Sequence, residues 1–137
     1  MAQVIKIEIS WCGKNYSCGW DGGSCGVVAC TAKTVDDIKK EFEESLRFHV
    51  EGMLAGGEDL PGWLADGDYV IEYTLATSAL LRQAERFTTM AAISRVTGIS
   101  QKLLSHYANS VKVPSLLQRE RIVDGLHTIG RQILAVC

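Results

Sequence analysis

The 137-residue chain has no apolar run approaching the roughly 20 residues that a membrane-spanning helix needs. Its first residues carry no basic cluster and no apolar core of the kind that marks a secretory leader. There is no internal repeat, no low-complexity tract and no long linker. Nucleophile elbow, phosphate loop and His-rich metal motif are all missing. Cys12, Cys18, Cys25 and Cys30 are separated by five, six and four residues, unlike the close Cys-x2-Cys pairs of structural zinc. They read instead as small buried residues of strands. The odd count of five cysteines and the lack of a leader point to reduced thiols and a cytoplasmic protein. Together these absences leave an enzyme with little residue-level support, so no catalytic residue, cofactor or metal is expected.

What is present is an uneven charge. Hydrophobic residues make up 47% of the chain and charged ones 22%, in the ordinary globular range. The length suits one or two small domains. The formal net charge is only −2, yet residues 1–77 hold six Lys/Arg against 13 Asp/Glu, a balance of −7. Residues 78–137 hold eight Lys/Arg against three acids, a balance of +5. Such a split points to two modules with different partners, the basic one suited to a polyanion.

Residues 4–10 alternate, with Ile5, Ile7 and Ile9 on one side and Lys6, Glu8 and Ser10 on the other, which predicts a half-buried strand. Residues 16–20 and 26–31 predict two more, parted by the turn signal Asp21-Gly22-Gly23. Thr34-Val35-Asp36-Asp37 opens a helix, with a hydroxyl at the N-cap and both acids at the positive end of the dipole. Val35, Ile38, Phe42, Leu46, His49 or Val50, and Met53 draw one apolar stripe. Lys39, Lys40, Glu41, Glu43, Glu44 and Arg47 form the outer, solvated face, a plainer reading of the acids than metal ligands. His49 reads as packed or half-buried. Gly56-Gly57 ends the helix, Pro61, Gly62 and Gly67 mark a loop, and residues 69–75 predict a fourth strand.

From Thr77 the pattern is helical only. Leu80, Leu81, Ala84 and Phe87 form one short helix, and Thr88 or Thr89 caps a second that ends near Thr97. Ser100 caps a third running to about Asn109, and Pro114-Ser115 opens a fourth of roughly 20 residues. The predicted fold class is α+β. Residues 1–76 form a β-β-β-α-β domain with one helix on one sheet, and residues 77–137 form an all-α domain.

Residues 90–109 carry the strongest local signal, the offsets of a helix-turn-helix counted from Met90. Ile93 stands where the first helix packs, and Ser94 where the helices touch. Gly98 falls in the turn, where positive φ is needed, and Ile99 anchors it. Leu104 and Tyr107 face inward from the second helix. Thr97 is more polar than usual at its offset. The predicted outer residues of that helix are Ser100, Gln101, Lys102, Ser105, His106 and Asn109, with His106 facing solvent. The N-terminal part of such a helix enters the major groove of DNA. Gln101 suits adenine, Lys102 guanine or phosphate, and the serines either. Asn109, Arg95, Lys112 and Arg119 suit phosphate. A plain three-helix bundle also joins short helices at glycine; six matched offsets and the local charge favour DNA. Gly125 and Gly130 weaken the last helix by up to ~1 kcal/mol each, and such spacing marks close packing and a dimer interface.

On these residues the chain resembles the HicB antitoxins. The strands, then Ala32-Lys33-Thr34-Val35-Asp36-Asp37-Ile38, and His49-Val50-Glu51-Gly52-Met53 closing the helix, look like that family's N-terminal domain. The C-terminal segment resembles the helix-turn-helix tail of some members. Gly23-Ser24-Cys25-Gly26 departs from the family's frequent Pro-Gly-Cys turn. The resemblance implies a partial RNase-H-like N-terminal domain without nuclease activity. It implies an antitoxin that neutralises a HicA-type mRNA interferase, a small basic toxin, and represses its own operon as a dimer or higher oligomer. The alternatives are a stand-alone regulator whose α+β domain senses a small ligand, and an active RNase-H-like nuclease, for which only Glu8 and Glu72 stand on strands.

Overall fold

The computed structural model describes residues 3–136. It divides between Leu75 and Ala76 into two compact units. The first unit is α+β. Its strands are β1 (Gln3–Trp11), β2 (Tyr16–Asp21), β3 (Val27–Ala32) and β4 (Tyr69–Leu75), and its helices are α1 (Val35–Ala55) and α2 (Gly62–Ala65). The strands form one mixed sheet in the order β3-β2-β1-β4. β1 and β3 both run antiparallel to β2, while β4 runs parallel to β1. Strand β3 therefore runs the same way as β4, and α1 is the crossover that carries the chain over the two inner strands.

Alternation decides which face α1 covers. Ile5, Ile7, Ile9 and Trp11 of β1 are buried, and Ile71, Tyr73 and Leu75, the register partners of the three isoleucines, are half-buried. Ile38, Phe42, Leu46 and Val50, four residues apart on α1, supply the opposing layer. Phe42 meets Tyr73 edge-on at 6.5 Å, and the Tyr73 hydroxyl donates to the Lys39 carbonyl at 3.2 Å. The alternate strand residues Val4, Lys6, Glu8, Val70, Glu72 and Thr74 are exposed. The expected cap is present: Thr34 Oγ1 accepts from the Asp37 amide at 3.0 Å, with Asp36 and Asp37 in the first turn.

Three local features differ from the sequence expectation. The loop around Pro61 contains the single-turn helix α2, whose Leu64 is buried. Cys12 is exposed rather than buried. The turn before β3 is a 3-10 turn over Gly23–Cys25 that ends at Gly26, φ +86°. His49 is half-buried as expected, and its Nε2 lies 2.7 Å from the Cys25 carbonyl oxygen. A side chain at Gly26 would occupy the space of that imidazole, so the ring holds the turn against α1.

The second unit is helical: α3 (Thr77–Ala84), α4 (Met90–Thr97), α5 (Gln101–Ala108) and α6 (Leu116–Val136). Its core is Leu81, Ile93, Ile99, Leu104, Tyr107, Ala108 and Ile122. Three of the helices have only eight residues. Isolated helices that short are marginal in water, so burial in this shared core stabilises them. Phe87, expected on the first of these helices, lies beyond its end and is 71% exposed. No helix among the described residues is long and apolar enough to cross a membrane.

The two phenylalanines of α1 give a paired prediction. Phe42 is fully buried and Phe48 is 79% exposed. In urea unfolding followed by circular dichroism, Phe42→Ala costs about 3–5 kcal/mol, whereas Phe48→Ala stays within ~0.5 kcal/mol.

Candidate nucleic-acid interface

The corner between α4 and α5 is built by short polar side chains around Gly98. Thr89 Oγ1 starts α4 by accepting from the Ala92 amide at 3.1 Å. Gly98 ends it in the left-handed region, φ +76°. Ser100 Oγ then caps α5 by accepting from the Leu103 amide at 3.2 Å. Ser94 Oγ reaches across the turn and donates to the Ile99 carbonyl at 2.6 Å. Its small size at this offset thus permits both close approach and a cross-link.

Thr97, the polar departure, has a structural role. Its Oγ1 donates to the Ile93 carbonyl at 2.7 Å and accepts from the Ile99 amide at 3.2 Å. The Thr97 carbonyl accepts from Arg121 Nη2 of α6 at 2.7 Å, which satisfies an orphan group at the end of α4. Below it, a Cβ added at Gly125 would collide with Thr97 Cγ2. Gly125 therefore marks the close packing expected of it, between α6 and α4 of one chain. Gly130 has nothing within 4 Å of where a Cβ would stand.

The inward offsets are occupied as spaced: Ile93 and Leu104 are fully buried, Ile99 is 3% exposed and Tyr107 7%. Ser100, Gln101, Lys102, Ser105 and Asn109 are exposed on the other side of α5. Asn109 Nδ2 donates to Ser105 Oγ at 3.3 Å. His106 does not face solvent as its spacing predicts. Its ring is half-buried, and Nδ1 is buried without a hydrogen-bond partner among the described residues. The reason is angular: position 106 lies beside Tyr107 at the edge of the buried stripe. Arg95 and Lys112 are exposed, but Arg119 is half-buried and Nη1 donates to Thr77 Oγ1 at 2.9 Å, within the same unit. Sequence reasoning missed the roles of Arg119 and Arg121, because each joins residues 24 or more positions apart.

The site presents an amide, an ammonium and hydroxyls on the first turns of one helix, a set suited to base edges and phosphate oxygens. Elsewhere, Glu8 and Glu72 do share the exposed sheet face, where Glu8 pairs in register with Thr74 and Glu72 with Lys6. These four residues and Ile7 line a shallow cavity of about 230 Å³. Among the described residues no three His, Cys, Asp or Glu are grouped to hold a metal ion. No family model matches the chain, and searches of curated proteins and of solved structures return no similar protein.

The Gly125 contact yields a double-mutant prediction. Gly125→Ala lowers stability by about 1–3 kcal/mol in denaturant unfolding, through overpacking against Thr97. Thr97→Ser, which removes the obstructing methyl and keeps the hydroxyl, recovers most of that loss in the double variant. Equal losses with and without Thr97→Ser would place the strain elsewhere.

Proposed function

We propose that the chain is a DNA-binding antitoxin of the HicB type. Helix α5 reads the operator of its own operon, and the acidic α+β unit binds and neutralises a small basic HicA-like toxin. The observation that carries this reading is the α4–α5 corner. It buries all the anchoring offsets and leaves Ser100, Gln101, Lys102 and Ser105 exposed on the first turns of α5. The charge split supports the division of labour, since opposite charge speeds encounter with a basic toxin on one side and with DNA on the other. A partial RNase-H-like topology is supported by the order β3-β2-β1-β4 with β4 parallel to β1.

The unit would act as a homodimer, because helix-turn-helix readers engage two half-sites about one DNA turn apart. Support comes from an apolar groove of about 250 Å³ between α3 and α6, lined by Leu80, Ala84, Leu126, Ile129 and Ile133. Phe87 stands exposed at the same groove. A second reading, a stand-alone regulator sensing a small ligand, is favoured by one feature. A cavity of about 370 Å³ lies between β3 and α1, lined by Val28, Ser45, Phe48, His49 and Met53 among others.

The discriminating experiment is to look beside the gene for a small basic reading frame of toxin size, whose absence counts against the antitoxin reading, and to co-express its product with the chain. The antitoxin reading predicts restored growth and co-purification of the two proteins. Growth arrest that persists, with no complex on the column, contradicts it. A regulator would still shift DNA from its own upstream region, with affinity falling steeply as salt rises.

A further inference from the structure

Two thiols face each other across the β2–β3 pair. Cys18 and Cys30 are direct register partners. Their sulfur atoms lie 3.5 Å apart in a hydrogen bond. Opposed residues of antiparallel strands have Cα atoms about 4.5–5.5 Å apart, inside the roughly 4.4–6.8 Å that a disulfide spans. Bond formation therefore asks for rotation of two side chains and no shift of either strand. The other described cysteines lack this geometry. Cys12 is exposed, with its sulfur on the Asn15 carbonyl, and Cys25 sits in the turn before β3.

We propose that Cys18 and Cys30 form a disulfide modification site, closed by hydrogen peroxide acting as two-electron oxidant. The half-buried Cys30 reacts first. Its thiolate attacks a peroxide oxygen, the O–O bond breaks, and the departing hydroxide takes up the thiol proton to leave as water. Cys18, as thiolate, then attacks the sulfur of the Cys30 sulfenic acid. The S–S bond forms, the S–O bond breaks, and the second hydroxide leaves as water with the Cys18 proton. Two thiols are oxidised and one peroxide is reduced to two waters.

Environment sets both the order and the pace. Burial, reinforced by the hydrogen bond to Cys30, pushes the Cys18 thiol up to about 12. Burial also raises Cys30, with the Cys18 hydrogen bond opposing that rise and the Glu41 charge adding to it. Burial thus disfavours the thiolate at both sulfurs, and Cys30 is the more accessible of the two to peroxide, so the order follows exposure and the bridge closes under sustained oxidation. Once closed, it clips the edge strand β3 to β2. The inference does not rest on the DNA or toxin reading.

The test uses the full chain with Cys12, Cys25 and Cys137 replaced by serine, fully reduced and then treated with hydrogen peroxide. The expected result is joint loss of both remaining thiols, an intact mass lower by two hydrogens, and a monomer on a non-reducing gel. Dithiothreitol restores the thiols, and the oxidised form melts higher. Adding Cys18→Ser lets dimedone label Cys30, whereas adding Cys30→Ser leaves Cys18 unlabelled; circular dichroism checks the fold of each. In the unsubstituted chain, fragmentation mapping places the bridge between Cys18 and Cys30. Thiols that survive excess peroxide in the folded chain, or a disulfide-linked dimer, overturn the pair. Dimedone on Cys18 and not on Cys30 overturns the order.

Discussion

Gly98 turns the chain through the left-handed region at φ +76°, and the arrangement of the helical unit depends on that reversal. A residue with a Cβ loses about 1–2 kcal/mol there. The turn sends Ile99 into the core and sets the phase of α5. Leu104 and Tyr107 then fall inward and Gln101, Lys102 and Ser105 outward. Three side chains hold the corner. Ser94 and Thr97 bond across it, and Arg121 of α6 grips the last carbonyl of α4. The surface offered to a ligand is thus set by a buried, hydrogen-bonded turn and not by the loose outer residues themselves.

The α+β unit solves a different problem with one long helix. Because β3 and β4 run in the same direction, α1 crosses the inner strands and buries one face of the sheet. The other face keeps Lys6, Glu8, Glu72 and Thr74 in solvent. Acidic residues on the outside of α1 add no packing cost, since they stay hydrated. Charge can therefore accumulate on this unit without disturbing its core, which leaves its sign free to match a partner.

Much of this was legible because it is local. Alternation in β1, the four-residue stripe of α1, and the caps at Thr34 and Ser100 all act within a few residues of themselves. The helix-turn-helix offsets are local too, and Ile93, Gly98, Ile99, Leu104 and Tyr107 take the places their spacing predicts. What stayed hidden joins distant positions or depends on a helix's angular setting. Thr97 against Gly125, Arg119 on Thr77, and Cys18 beside Cys30 require the folded packing before they exist. Residue counting puts His106 outward, but a position at the edge of a buried stripe is shared between core and solvent. Apolar spacing extends α3 to Phe87, whereas the chain turns at Glu85 and leaves the ring exposed.

The central claim is that the first turns of α5 read DNA. The most direct measurement is fluorescence anisotropy of labelled DNA from the chain's own upstream region, titrated with the full chain across a salt series. Lys102→Ala is predicted to weaken binding to all sequences alike and to lower the salt slope by ~1. Gln101→Ala is predicted to cost about 1–3 kcal/mol and to relax the preference at one base pair. Isotherms of both variants that superimpose on the wild-type curve at every salt concentration would contradict the account.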